Sequence, residues 1–270
     1  MNMKKVLFSL LTLLFCAPAS AQGSNQIRFS VFYIYTFMTY ENQKAPRTEE
    51  FVLDVAQGGS MFYSRWEEMF AKTKDSIIAK GGGLSDVMNA TSKYPRASQH
   101  FKLCKNYPEK GKLTYLDQIA IKKFYYQEEM EKINWRITEK DSVVADYPCK
   151  LAECTFRGRN WKVWFTMDIP SEEGPWKLHG LPGLILYAAE SKGDFSFECI
   201  EIKNGTGDDF AVPTLRDRVK CTREQLMSEY RELAENPGRY AEKLGGIGGG
   251  TGPDGKPIVY KPRVPVFLDY

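Results

Sequence analysis

Residues 149–167 read CKLAECTFRGRNWKVWFTM, and this stretch decides the fold class. Runs 149–156 and 161–167 are rich in aromatic and branched side chains, with Arg157-Gly158-Arg159-Asn160 between them. A four-residue connection of this kind suits an antiparallel hairpin. Successive side chains of a strand alternate between faces, so Trp161, Val163 and Phe165 fall on one side and Trp164 on the other. The pattern continues outward in both directions. Residues 113–119, 122–130 and 133–138 read as strands before the hairpin, and 184–190 and 195–203 as strands after it, with a turn at 191–194. Residues 27–38 (IRFSVFYIYTFM) form a first strand, and 49–56 and 60–66 flank Gln57-Gly58-Gly59, a hairpin signal. A helical or irregular stretch then runs to Lys80 and is broken by Gly81-Gly82-Gly83.

One helix is well signalled. Thr222 caps its start and Gln225, three residues on, completes a capping box. Leu226, Tyr230 and Leu233 share one face, and Asn236-Pro237-Gly238 ends the helix. Strands in series joined by short turns predict an α+β fold: a predominantly antiparallel, curved sheet with a few packing helices. One domain over residues 22–244 is the economical division. Residues 245–257 hold seven glycines in thirteen positions and read as a linker. Residues 258–270 carry Pro262 and Pro265 and read as an extended arm or edge strand.

The chain has 270 residues, 43% apolar and 26% charged, which excludes a disordered tail or a collagen-like fibre. A formal charge of +3 gives no reason to expect a nucleic-acid partner. Two histidines leave little material for a His-rich metal site, and neither a metal nor a cofactor is expected. Lys4 and Lys5, the apolar run 6–15 and Ala19-Ser20-Ala21 together read as a secretory signal peptide, residues 1–21, cleaved after Ala21. Cys16 offers a lipoprotein alternative, but Phe15 is too bulky for the residue before a lipidated cysteine. The apolar run is too short to span a bilayer, and no other stretch is apolar enough. The expected product is a periplasmic, cell-envelope or secreted protein, not an integral membrane protein. It would retain Cys104, Cys149, Cys154, Cys199 and Cys221 as candidate disulfide cysteines; five is odd, so at least one is free or pairs with another molecule.

Residues 168–186, DIPSEEGPWKLHGLPGLIL, are unusually punctuated. Pro170, Gly174, Pro175, Gly180, Pro182 and Gly183 make a long, stiff connection between two strands. Pro182-Gly183 suit the centre of a type II turn, which predicts a positive φ at Gly183. Gly180-Leu181-Pro182-Gly183-Leu184-Ile185 spell GLPGLI, and the chain resembles the GLPGLI family of Bacteroidetes, once named after Porphyromonas. The likeness covers roughly residues 132–202. Trp135 and Ile137 match its tryptophan-led strand, and Tyr147, Cys149 and Ala152 the next stretch. Phe156, Gly158, Arg159 and Trp161 match "F-x-G-R-x-W", Trp164 the following tryptophan, and Ile169-Pro170 and Gly174-Pro175 the approach to GLPGLI. Ser60-Met61-Phe62-Tyr63-Ser64 resembles the family's "S-x-F-Y-S" more weakly, while Cys154 and the glycine-rich run depart from the common pattern. The resemblance implies an exported cell-envelope protein of unestablished biochemical function. The serial strands are also similar in architecture to the half-open sheet of periplasmic lipoprotein carriers.

No catalytic constellation stands out. There is no G-x-S-x-G elbow, and His100 and His179 are the only imidazoles. A Cys149–His179 pair would make a thiol or histidine hydrolase the weakest of three readings. The leading expectation is non-enzymatic binding of an apolar ligand, a lipid or peptide, on an aromatic sheet face. Trp164, Trp176 and His179 are then candidate ligand or lid residues, with the 169–183 loop as rim. The second expectation is an interaction or assembly protein of an outer-membrane complex, whose arm 258–270 adds a strand to a partner.

Overall fold

The computed structural model describes residues 26–205, 207–209, 212–245 and 261–269. The signal segment 1–21 and nearly all of the glycine-rich run 245–257 lie outside the described residues. In chain order the elements are β1 (Ile27–Phe37), β2 (Arg47–Ala56), β3 (Ser60–Ser64), α1 (Arg65–Ala79), α2 (Leu84–Thr91), β4 (Lys102–Lys105), β5 (Lys112–Ile119) and β6 (Lys122–Glu129). They continue as β7 (Arg136–Val144), β8 (Tyr147–Phe156), β9 (Arg159–Thr166), β10 (Leu184–Glu190), β11 (Phe195–Asn204), β12 (Val219–Lys220), α3 (Arg223–Glu235) and α4 (Pro237–Lys243).

Among the described residues the strands join one 12-stranded sheet in the order β12-β6-β5-β4-β3-β2-β1-β11-β10-β9-β8-β7. Two antiparallel meanders, β7 to β11 and β1 to β6, meet where β1 pairs with β11, for example Tyr35 opposite Phe197. The α+β expectation with a predominantly antiparallel sheet holds; the short β12 is parallel to β6. Among the described residues no helix is long and apolar enough to cross a membrane.

Period-two alternation sets the core. Along β1, Val31, Tyr33, Tyr35 and Phe37 are buried on one face, called inner here, and they join Phe51, Phe62, Trp161 and Phe197 in the main cluster. The opposite face of β2 to β5 carries a second cluster of Val52, Met61, Tyr63 and Leu116. From Phe51 to Ala56 strand β2 is therefore buried on both faces, with Asp54 the one charged residue there, accepting from Ser30 Oγ and Tyr63 Oη.

Several local expectations shift. The 149–167 hairpin closes by a two-residue turn, Arg157-Gly158, with Phe156 opposite Arg159. Both turn residues have positive φ, 52° and 70°, the geometry that matches strand twist. The strand expected at 133–138 is β7, running to Val144; it is mostly exposed and lacks an apolar face to announce it. The strand expected to reach Trp66 stops at Ser64, whose hydroxyl accepts from the Glu67 N–H and caps α1. Thr222 and Gln225 form the expected capping box of α3. Pro237 ends α3 but also starts α4, since its fixed φ suits a first helical turn.

Gly183 is a sharper correction. It does not occupy the left-handed region; Gly180 does, at φ 88°. What requires glycine at 183 is proximity. A Cβ there would lie 2.0 Å from the Thr166 carbonyl oxygen and 2.7 Å from its carbon, both backbone atoms of β9. At Gly180 a Cβ would meet nothing within 4 Å, so only conformation selects glycine.

Candidate functional site

The 167–183 connection lies against the inner face and is anchored there by two buried lysines. Lys105, from β4, is fully buried, and its ammonium donates to Glu173 Oε2 at 2.9 Å, the Gly174 carbonyl at 2.7 Å and the Leu178 carbonyl at 3.0 Å. Those three acceptors saturate the ammonium donors. Burial lowers the Lys105 pKa, and Glu173 opposes that shift. Glu173 also accepts from Ser60 Oγ at 2.8 Å. In the reverse direction Lys177, from the connection, donates to Tyr126 Oη at 3.0 Å, to Glu128 at 2.6 Å and to Asp269. Between these anchors Trp176, Leu178 and Leu181 are buried in the main cluster.

Trp176 is thus a core residue and not an exposed lid. It is 1% exposed, held at φ 51°, and packs against Phe156 and Trp161 with ring centroids 5.9 and 5.7 Å away. Trp164 is half-buried on the other face of β9. His179 is half-buried, its Nδ1 2.8 Å from the Lys177 carbonyl; burial, and secondarily the Lys105 charge, lower its pKa. Its own carbonyl accepts from Trp135 Nε1 at 2.8 Å. Within GLPGLI, Leu181, Gly183, Leu184 and Ile185 are buried, whereas Gly180 and Pro182 are exposed. Ile185 is tied across the face by Tyr33 Oη, which donates to its carbonyl at 2.5 Å. The motif is a packing device.

The candidate disulfide cysteines are all free. Cys104, Cys149, Cys154 and Cys199 are buried and Cys221 is half-buried. Burial pushes the thiols up, to about 11 for Cys149 and Cys221 and about 12 for the other three. Cys149 Sγ lies 3.4 Å from the Tyr147 carbonyl, and among the described residues no hydrogen bond joins it to His179. Among the described residues no group of three or more His, Cys, Asp or Glu is placed to hold a metal.

Beside this packed loop lies a feature with room for a ligand. A cavity of about 420 Å³ opens between the end of β1, residues 98–101, the end of β5, α3 and the segment 263–269. Tyr35, Phe37, Tyr115, Trp176 and Phe195 give it an aromatic wall, and Leu226, Met227 and Leu233 present the apolar stripe of α3. Of the three expected ligand or lid residues only Trp176 reaches it.

Each wall has its own fixture. Glu49, 6% exposed, accepts from the Ser98 N–H at 2.9 Å, Ser98 Oγ at 3.0 Å and the Gln99 N–H at 3.2 Å, which pins the 98–101 segment. Residues 261–269 form an extended strap. The Arg263 N–H donates to the Ala234 carbonyl at 2.8 Å, the Val266 N–H to Thr39 at 3.0 Å, and the Glu41 N–H to Val264 at 3.0 Å. Buried Arg159, ion-paired with Glu190 at 3.0 Å, donates through Nη2 to the Phe267 carbonyl at 2.5 Å.

Asp117 is the buried carboxylate in this lining, 1% exposed. Tyr230 Oη from α3 donates to its Oδ2 at 2.7 Å, and the Gln118 N–H to Oδ1 at 2.7 Å. Burial outweighs both and raises its pKa to about 6. The unfolded chain holds Asp near 3.9, so this group favours the fold fully below about pH 4 and loses that contribution as pH rises through about 6. In Asp117→Asn the component disappears. The stability of wild type minus that of the variant is expected to fall by about 2–3 kcal/mol between pH 4 and 7, read from urea midpoints. A flat difference would show that Asp117 titrates normally.

Sequence reasoning missed Asp117, Lys105 and the strap contacts. Alternation along β5 puts Asp117 on the face of Leu113, Tyr115 and Ile119, a charge at an inward position that was visible in principle. Lys105 sits in KLCK, too short and too basic to announce a strand.

Comparison with known proteins adds a family match and a partial fold likeness. Residues 112–187 match the model of a family described as "Protein of unknown function (Porph_ging)". The match runs from the start of β5 into β10 and so includes the anchored connection. No curated protein matches the chain. Two structures of PNGF-II, from two crystal forms, are similar to part of it. Their identities are 12% and 11%, each with a TM-score of 0.48, over 76% and 75% of this chain. They are covered to 34% and 33%, so the chain spans about a third of their length.

Proposed function

We propose that this is an exported cell-envelope protein of the GLPGLI type that binds an apolar ligand without transforming it. Its sheet would serve as a curved frame of the kind found in half-open periplasmic carriers. The observation that carries the reading is the 420 Å³ aromatic cavity, a size typical of small-molecule sites. The reading moves the ligand from the face under the GLPGLI loop, which Trp176, Leu178 and Leu181 already fill, to the space beside it. Export rests on Lys4-Lys5, the apolar run after them and Ala19-Ser20-Ala21.

The assembly reading is less favoured because the strap's backbone groups at 263, 264 and 266 are bonded within the chain. A hydrolase is less favoured because a Cys149 thiol pushed up to about 11 supplies little thiolate. The test is titration of phenyl-naphthylamine, a neutral fluorescent apolar probe, into wild type and Ala234→Phe. Ala234 lines the cavity on α3, and phenylalanine there projects into it. Saturable binding in wild type, weakened at least tenfold in a variant that still unfolds cooperatively, is the expected result. Equal binding by both proteins would place the probe elsewhere and defeat the reading.

A further inference from the structure

We infer that the cavity selects amphipathic anions, with the apolar body against the aromatic wall and one carboxylate, sulfonate or phosphate group at the rim. The inference rests on the cavity reading above and adds the sign of the ligand's charge. It comes from how charges are distributed over the lining. The two lining carboxylates are committed elsewhere: Asp117 is buried under Tyr230 and the Gln118 N–H, and Asp269 is paired with Lys177. Arg223 is shared between Asp269 at 3.6 Å and Glu224 at 3.1 Å. Of the exposed charges on the lining, His100 lies 3.1 Å from Glu67. The other two, Arg47 and Arg263, have no carboxylate partner among the described residues.

These two guanidinium groups belong to different elements, Arg47 to the start of β2 and Arg263 to the strap. Arg263 is also held in place, with its guanidinium carbon 4.8 Å from the centroid of the Tyr40 ring. A planar cation fixed on an aromatic ring loses little freedom on meeting an oxyanion, and its fork suits carboxylate, sulfonate and phosphate oxygens. An ammonium head at the rim would face the two guanidinium groups, Arg47 and Arg263, which have no carboxylate partner among the described residues. The arrangement orients a ligand as well as admitting it.

The test uses two probes with one aromatic body: anilinonaphthalene sulfonate, and phenyl-naphthylamine, which lacks the sulfonate. Both are titrated into folded wild type and into the Arg47→Gln/Arg263→Gln double variant, with Ala234→Phe as the check that binding is in the cavity. The sulfonate is expected to bind wild type about tenfold more tightly than the neutral probe, and the gap to close to within about twofold in the double variant, as loss of two exposed charge contacts implies. Equal affinities in wild type, or a gap that survives in the double variant, would overturn the anion inference and leave the cavity reading intact. Binding of neither probe would overturn the cavity reading itself, and the anion inference with it.

Discussion

Replacing Lys105 by methionine is expected to destabilise the fold by about 3–5 kcal/mol, the range for breaking a buried ion pair from one side. The side chain is fully buried and Glu173 nearly so, at 0% and 14% side-chain exposure. Methionine fills comparable volume but leaves Glu173 with Ser60 alone and the Gly174 and Leu178 carbonyls without their donor. Glu173→Gln added to Lys105→Met should recover part of the loss, because the stranded charge is then gone. Urea midpoints for the single and double variants provide the measurement. A single-variant loss below about 1 kcal/mol would mean that Lys105 does not anchor the connection.

Gly183→Ala is the second large effect, expected to cost more than about 3 kcal/mol, at or above the upper end of overpacking penalties. The atoms its Cβ would strike are the Thr166 carbonyl and the Met167 Cα, at 2.0, 2.7 and 3.1 Å. Backbone at that distance cannot rotate away. The only relief is to part β9 from β10 where Leu184 pairs with Thr166. Gly180→Ala supplies the contrast, with a conformational penalty of about 1–2 kcal/mol and no clash. Thermal melts of the two variants should rank Gly183→Ala as clearly the worse. The reverse order would show that the connection turns at Gly183 and not at Gly180.

Much of the architecture was legible from alternation alone. Runs such as 113–119 and 184–190 are half or wholly buried strands, and their side chains say so by period. The α3 start was legible because Thr222 and Gln225 are a local chemical device. Where neither period nor local chemistry acts, the sequence is silent. Strand β7 was read only over residues 136–138, because its exposed remainder, 139–144, carries no apolar face, and β4 is four residues with a lysine at each end. Gly183 misled because Pro-Gly has a familiar turn meaning, whereas its true constraint is a strand that arrives from 17 residues away, at Thr166.

The candidate site was harder to see for the same reason. Its walls come from β1, the 98–101 segment, β5, α3 and the strap, which no spacing in the sequence relates. Trp176 was singled out from a punctuated loop and does reach the cavity, but as a buried wall fixed by Phe156 and Trp161. Asp117 and Arg263 become neighbours of the same space only through tertiary structure.

The central claim, a ligand in that cavity, is tested most directly by native mass spectrometry of the protein purified from its own host without refolding, followed by denaturing extraction. The account predicts a stoichiometric amphipathic small molecule on wild type and its absence from Ala234→Phe purified in the same way. Wild-type protein that is uniformly empty, or a ligand that Ala234→Phe retains in full, would contradict it.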